Sequence, residues 1–191
     1  MRGPFLGGRS VGSACRRIVE GQMASRRFNE RALIGVGSYC SWGYPQVIVC
    51  RPLVGARPFP TSFWLTCPWL VKQCGCLESA GGVGQLEAFL ADRGAQWRDY
   101  QRRYAAFRLS LLLPHQEAFL RRFCRPLWIS IAKRGVGGLR TTELPSVKCL
   151  HLQVGAWLGM GEHPAQSWLS DSIGPIDCPD RACSRFEENV F

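Results

Sequence analysis

The region between residues 32 and 66 contains short apolar runs of the kind that form β-strands. Residues 32–36 and 46–50 are two such runs, and the glycine, serine and proline between them predict a β-hairpin. Residues 61–66, Thr-Ser-Phe-Trp-Leu-Thr, predict a third strand. The pattern therefore predicts a small antiparallel sheet over about residues 32–66.

After the sheet, the apolar positions change to the helical period. Pro68 is the first sign of this change, because proline is favoured at the first position of a helix. This predicts Cys67 or Thr66 as the N-cap of a helix that runs to about Glu78. The two glycines that follow at 81 and 82 end it.

Further helices are predicted downstream. Residues 96–113 carry a stripe of core-facing side chains spaced three and four apart, namely Trp97, Tyr100, Tyr104, Phe107 and Leu111. Residues 83–94, 116–124 and 145–158 also follow a helical pattern, whereas the glycine-containing stretch 126–144 is predicted to be a loop.

Together these elements predict one α+β domain over residues 31–170, with the small sheet packed against a helical part. The total length of 191 residues is typical of a single domain. Residues 1–30 are predicted to be a basic, disordered tail. Residues 171–191 are predicted to be an acidic tail that contains cysteines.

Charge adds an interaction hypothesis. The net charge is +10, and it is concentrated in residues 1–35 and 93–140, which carry +5 and +9, whereas residues 162–191 carry −4. A basic surface of this kind can bind phosphates or an acidic partner. The chain is therefore a candidate for binding nucleic acid or an acidic protein through Arg98, Arg102 and Arg121, although a merely solvated arginine face has the same pattern.

Location affects how the ten cysteines are interpreted. No apolar run reaches the ~18 residues that a membrane-spanning helix needs, and the N-terminal segment lacks the apolar stretch and cleavage site of a secretory signal. We therefore predict a cytoplasmic protein without a transmembrane segment. Thiols stay reduced in the cytoplasm, so the cysteines are expected to be buried thiols, metal ligands or redox groups rather than disulfides.

Four motifs occur in a characteristic order. They are Cys-Ser-Trp-Gly-Tyr-Pro-Gln-Val-Ile at 40–48, Pro-Phe-Pro-Thr-Ser-Phe-Trp-Leu-Thr-Cys-Pro at 58–68, Leu77-Glu78-Ser79, and Val147-Lys148-Cys149-Leu150-His151. This arrangement resembles the bacterial family known as domain of unknown function five hundred and one. The resemblance implies a small bacterial cytoplasmic protein, and it implies no particular activity.

The motif residues suggest a metal pocket. Cys40, Cys67, Cys149 and His151 are candidate ligands, and zinc takes four ligands of these kinds. We expect these residues to meet in one pocket although they are far apart in the chain. Residues two apart in a continuous helix point to nearly opposite sides, so Cys149 and His151 cannot easily share one ion.

The acidic tail offers replacement ligands. Cys178 and Cys183 form a turn-like C-x4-C pair that can take the place of one motif residue. The same pair can also join Cys74 and Cys76 in a thiolate-only set, which suits zinc or an iron–sulfur cluster. The alternative is that the cysteines are small buried apolar residues.

Two further hypotheses concern thiol and anion chemistry. Cys67 is a candidate nucleophile because a helix N-terminus lowers the pKa of a thiol, with His151 as its base. Lys148 and His151 lie on one helical face and, with Arg51 and Arg57, are candidates for binding an anionic ligand. The acidic residues between 36 and 161 are scattered, which disfavours two-carboxylate and two-metal chemistry.

Overall fold

The computed structural model describes residues 11–55, 57–59, 61–140 and 144–187. Its main sheet has the strand order β1–β2–β5, formed by Leu33–Tyr39, Pro45–Cys50 and Phe63–Leu65. Both pairings are antiparallel, so the predicted hairpin and third strand are confirmed. Between β2 and β5, the short strands β3 (Leu53–Val54) and β4 (Arg57–Pro58) form a separate two-stranded ribbon.

Helices make up most of the remaining chain. Their bounds are α1 Ser13–Met23, α2 Pro68–Ser79, α3 Gly82–Leu90, α4 Gly94–Ser110, α5 Pro114–Phe123, α6 Arg125–Ala132, α7 Leu150–Met160 and α8 Gln166–Ile173. Short 3-10 turns lie at Glu30–Ala32, Ala91–Arg93, Val136–Gly138 and Ala182–Phe186. The fold is therefore α+β, as the sequence predicts.

The central strand β2 is covered on both faces, and all six of its residues are buried. Val47 and Val49 belong to the main core, which also contains side chains from α2, α3, α4, α7 and α8. Ile48 and Cys50 point to the opposite face, where they pack with Val19 of α1. A strand buried on both faces needs a continuous apolar run, which is what residues 47–50 provide.

Helix α1 lies inside the segment that the sequence assigned to a disordered tail. Its buried residues include Val19 and Met23, which pack against Leu33 and Ile48. Because arginines and glycines surround these apolar residues, the composition of the segment does not reveal that one face of the helix is apolar. The N-terminal segment from Ser13 onward is therefore part of the folded domain.

The two largest departures from the predicted helices are an additional helix and a later helix start. Residues 126–132, predicted to be part of a loop, belong to α6, because Leu127, Trp128 and Ile131 follow the helical period and pack against neighbouring apolar side chains. Helix α7 begins at Leu150 rather than at 145, because Cys149 is extended, with φ −165° and ψ 158°. The second difference determines the geometry of the candidate site.

Within the described part of the chain, no helix has both the length and the apolar content needed to cross a membrane.

Candidate metal centre

The end of α2 meets the start of α7. Helix α7 begins immediately after Cys149, and the first backbone N–H groups of any helix lack partners within the helix. Glu78, in the last turn of α2, supplies the missing acceptor. Its Oε1 accepts hydrogen bonds from the backbone N–H of Leu150 at 2.6 Å and of His151 at 3.4 Å. A carboxylate is favoured there because the N-terminal end of a helix is electropositive.

The same oxygen also contacts the His151 ring. Nδ1 of His151 lies 3.0 Å from Oε1 of Glu78, and both side chains are about one quarter exposed, at 25% and 26%. A neutral imidazole that donates from Nδ1 has its lone pair on Nε2, and a carboxylate partner of this kind commonly orients metal-binding histidines.

Cys149 completes the group. One ligand atom from each of Glu78, Cys149 and His151 lies within 4.8 Å of the other two, and no other three His, Cys, Asp or Glu residues among those that the structure describes come this close. Two ligands on one tetrahedral zinc ion lie about 3.3–3.8 Å apart, since each sits about 2.0–2.3 Å from the metal. The group is therefore close to coordination size.

Cys149 and His151 share this site because Cys149 is not part of the helix. Residues two apart in the chain point to nearly opposite sides only when both belong to one continuous helix. The extended backbone of Cys149 makes it the N-cap, so its side chain leaves the chain in a direction unrelated to the helical rotation. The expected placement on opposite sides of one helix is therefore not found, and the ligand atoms of the two residues lie within 4.8 Å of each other.

A cavity of about 310 Å³ opens beside the group. Its lining residues are Arg26, Thr61, Phe63, Trp64, Leu65, Cys149, His151 and Leu152. Nη1 of Arg26 donates to the Leu65 carbonyl at 2.9 Å, and the guanidinium lies 5.7 Å from the centre of the Trp64 ring. The site therefore combines candidate metal ligands, an apolar wall and one fixed cation.

The electrostatics of Cys149 favour the thiol in the absence of a cation. Burial raises the pKa of Cys149, and Glu78 raises it further. The backbone N–H groups of Leu152 and His151 and the charge of Lys148 oppose this effect without overcoming it. A bound divalent ion would reverse the balance, because a coordinating thiol is deprotonated.

The single pocket expected for the four motif residues is not formed. Cys67 is the N-cap of α2, whereas Glu78 lies eleven residues further on, which corresponds to roughly 16 Å along a helix axis. Cys149 and His151 lie at the Glu78 end of α2, Cys67 lies at its other end, and Cys40 packs in a separate small cluster with Ile18, Tyr44 and Cys183. The four candidate ligands are thus not gathered in one place.

The cysteines proposed as a thiolate-only set are also separated. Cys74 is completely buried and faces the main core, where burial raises its pKa to about 12. Cys76, two residues later, is exposed to solvent. Helical geometry directs the two side chains to different sides of α2, so they do not form one site with Cys178 and Cys183.

The environment of Cys67 disfavours a nucleophilic role. Burial raises its pKa to about 11, although the backbone N–H groups of Leu70 and Trp69 at the start of α2 act in the opposite direction. The residue is only 6% exposed. The helix N-terminus thus lowers the pKa of Cys67 as predicted, but desolvation of the thiolate raises the pKa by more.

The candidate anion ligands do not gather around one point. Lys148 and His151 lie at the start of α7, while Arg51 lines a separate depression together with Arg16 and Arg31. Arg57 is on the exposed ribbon strand β4. The arginine that does reach the Cys149 and His151 cavity is Arg26, and nothing in the local sequence distinguishes it.

The three arginines of the interaction hypothesis lie on α4 and α5. Arg102 and Arg121 are exposed, and Arg98 is partly buried. Arg121 pairs with Glu117 at 2.7 Å and lies over the Trp128 ring at 4.4 Å. Binding of nucleic acid or an acidic protein through this face remains a prediction.

Fold and site together define an α+β protein with a candidate Glu, Cys and His metal centre. The chain belongs to the family described as Protein of unknown function (DUF501), whose model matches residues 36–171. The resemblance seen in the motifs is thereby confirmed, and the match includes Glu78, Cys149 and His151. Neither the comparison with curated proteins nor the comparison with solved structures gave a match.

Proposed function

We propose that the protein binds a metal ion, with zinc as the best fit, through Glu78, Cys149 and His151. The observation that carries the proposal is the proximity of the three ligand atoms, which come from α2, α7 and the residue that precedes α7, and lie within 4.8 Å of one another. Sulfur, imidazole nitrogen and carboxylate oxygen are the three ligand types that zinc uses in proteins. A mixed set of this kind suits zinc better than the hard cations, which prefer oxygen alone.

Glu78 can bind the ion while it also accepts hydrogen bonds from the first backbone N–H groups of α7. Its contacts with Leu150 and His151 all use Oε1, and a carboxylate has a second oxygen with its own lone pairs. Alternatively, Glu78 holds the His151 ring and leaves Nε2 for the ion, as in many carboxylate, histidine and zinc arrangements. In both versions Cys149 and His151 are direct ligands.

The cavity indicates the kind of centre. Structural zinc sites have four protein ligands, whereas catalytic sites have three and an open position. Three candidate protein ligands are present, and Cys149 and His151 line the cavity that also contains Arg26. When Glu78 is itself a ligand, the proposed ion keeps one exchangeable position toward this cavity, where a water or a small ligand can bind; when Glu78 only orients His151, two positions are open.

Zinc titration of matched variants tests the proposal. We expect Cys149→Ala and His151→Ala to weaken zinc binding at this centre by at least about 100-fold, because each loses a direct ligand and loss of an outer-shell partner alone costs about 10–100-fold. Competition with a chromophoric chelator measures the affinity. Cys76→Ala is the matched control, because Cys76 is an exposed thiol on α2 outside the group.

Two outcomes would contradict the proposal. One is a Cys149→Ala protein that binds zinc at this centre as tightly as the wild type. The other is a wild-type protein that binds no zinc and instead has one rapidly alkylated thiol at Cys149, which would indicate a thiol enzyme with His151 as base and Glu78 as its orienting group. Circular dichroism of every variant checks that the fold is retained.

A further inference from the structure

A second group of cysteines lies at the other end of α2. Cys40 follows β1, and Cys67 precedes α2. Cys178 and Cys183 come from the segment that follows α8. Three separate parts of the chain thus bring four thiols to one region.

Packing places these thiols close together. Cys183 is buried in a small cluster with Ile18 and Tyr44, and Cys40 packs against the same cluster. The backbone N–H of Cys67 donates to the Gln46 carbonyl at 3.2 Å, and the Gln46 side chain donates to Ile176 and Asp177, which immediately precede Cys178.

Hydrogen bonds hold the C-terminal segment against the turn that carries Cys40. The indole Nε1 of Trp42 donates to the Cys178 carbonyl at 2.9 Å, and the backbone N–H of Ser41 donates to Oδ1 of Asp177 at 3.2 Å. The side-chain amide of Gln46 donates to the Ile176 carbonyl at 2.8 Å. These contacts fix the position of Cys178, so the proximity does not depend on a loosely attached tail.

Several N–H groups point at the sulfur atoms. The backbone N–H of Tyr44 donates to Sγ of Cys40 at 3.4 Å, and the side-chain amide of Gln22 donates to Sγ of Cys183 at 3.3 Å. The backbone N–H groups at the start of α2 act on Cys67 in the same way. A neutral thiol is a weak acceptor, whereas hydrogen bonds to sulfur are part of the outer shell that tunes metal thiolates.

The turn between the last two cysteines is conformationally costly. Arg181 has φ 50°, which makes it the only non-glycine residue with positive φ in the described ranges. Its Nε donates to the Tyr44 hydroxyl at 2.9 Å. A left-handed conformation at a bulky residue persists only where its surroundings hold it, and such residues concentrate at functional sites.

We propose that Cys40, Cys67, Cys178 and Cys183 bind a second metal ion as four thiolates, again with zinc as the best fit. Each thiol loses its proton to solvent when it becomes a ligand, so binding releases protons. The ion would join the β1–β2 turn, the start of α2 and the C-terminal segment in a closed structural site. Since only the Glu78 group brings three described ligand atoms within 4.8 Å, binding at the second site requires side-chain rotation to draw the sulfurs together.

Metal counting with matched variants tests this site independently of the first. Protein purified without chelator should contain two equivalents of zinc. Cys183→Ser and Cys40→Ser should each remove one equivalent and leave the Glu78 centre intact, whereas Cys149→Ala should remove the other equivalent. Cys124→Ser, a partly buried cysteine in a different cluster, is the control and should keep both.

Cobalt substitution gives a second readout, whose first part needs only the wild-type protein. Wild-type protein loaded with cobalt should show strong sulfur-to-metal charge-transfer absorption, and Cys183→Ser should lose most of it while Cys149→Ala loses little. The proposal is overturned if Cys183→Ser retains wild-type zinc content and cobalt absorption. It is also overturned if intact mass shows that Cys178 and Cys183 are joined in a disulfide in the freshly purified protein.

Discussion

Lowering the pH from 7 to 4 should destabilise the fold by about 3 kcal/mol through His163 alone. This residue is buried, and burial lowers its pKa from 6.5 to about 3. Between these two values the unfolded chain binds a proton that the folded chain does not, so stability present above pH 6.5 is lost as the pH falls toward 3. Each pH unit in this window costs about 1.4 kcal/mol.

The hydrogen bonds of His163 explain why its neutral form is retained. The backbone N–H of Ala165 donates to Nδ1 at 3.0 Å, so Nδ1 is an acceptor. The proton therefore resides on Nε2, which lies 3.0 Å from Oε1 of Gln153. Protonating Nδ1 would place two N–H groups against each other and would bury a charge beside the Tyr100 ring, 4.8 Å away.

Urea unfolding at several pH values measures this effect. A metal chelator should be present throughout, so that loss of zinc at low pH does not contribute. His163→Gln should unfold with a smaller change between pH 6.5 and pH 4, and His115→Gln, which alters an exposed histidine, should behave like the wild type. The same pH dependence in His163→Gln and wild type would show that other groups are responsible.

Gly159→Ala should destabilise the protein by about 1–3 kcal/mol, the usual cost of overpacking a core. A Cβ at this position would lie 2.2 Å from Cδ1 and 2.5 Å from Cγ of Phe63 on β5. The Phe63 ring cannot easily withdraw, because it stacks on Phe107 with 4.7 Å between ring centres. Close contact between α7 and β5 therefore depends on the glycine.

The same substitution elsewhere provides the control. Gly75 lies within α2, and a Cβ there meets no other atom within 4 Å. Gly75→Ala should therefore stabilise the protein by up to ~1 kcal/mol through helix propensity. Denaturant unfolding of both variants should give free energy changes of opposite sign. A stabilised Gly159→Ala protein would mean that α7 can move away from β5 without loss.

The parts of the fold that could be predicted from the sequence are those determined by residues that lie close together in the chain. The β1–β2 hairpin was predictable because its strands and turn are adjacent. Pro68 predicted the N-cap to within two residues, Cys67 or Thr66, and the structure has Cys67. The start of α7 was not predictable in this way. It is set by the carboxylate of Glu78, which comes from another helix and bonds to the backbone of Leu150.

The candidate site was predictable only in part. Cys149 and His151 are in a recognisable motif, and Glu78 is in another, but the contact that joins the motifs spans 73 residues. Helical periodicity gives no information about which helix ends meet. The sequence around Arg26 did not indicate that this residue lines the cavity. Its position depends on how α1 and the following segment pack beside Leu65 and Trp64.

The segments on either side of the family match depend on each other. Gly21 of α1 packs directly against the Phe186 ring, and the Gln22 side chain bonds to Cys183. Both contacts join residues that lie outside the matched range 36–171. The amide hydrogens of α1 and of Ala182–Phe186 should therefore show the same free energy of opening in native-state hydrogen exchange, as one cooperative unit that opens while the central sheet stays closed.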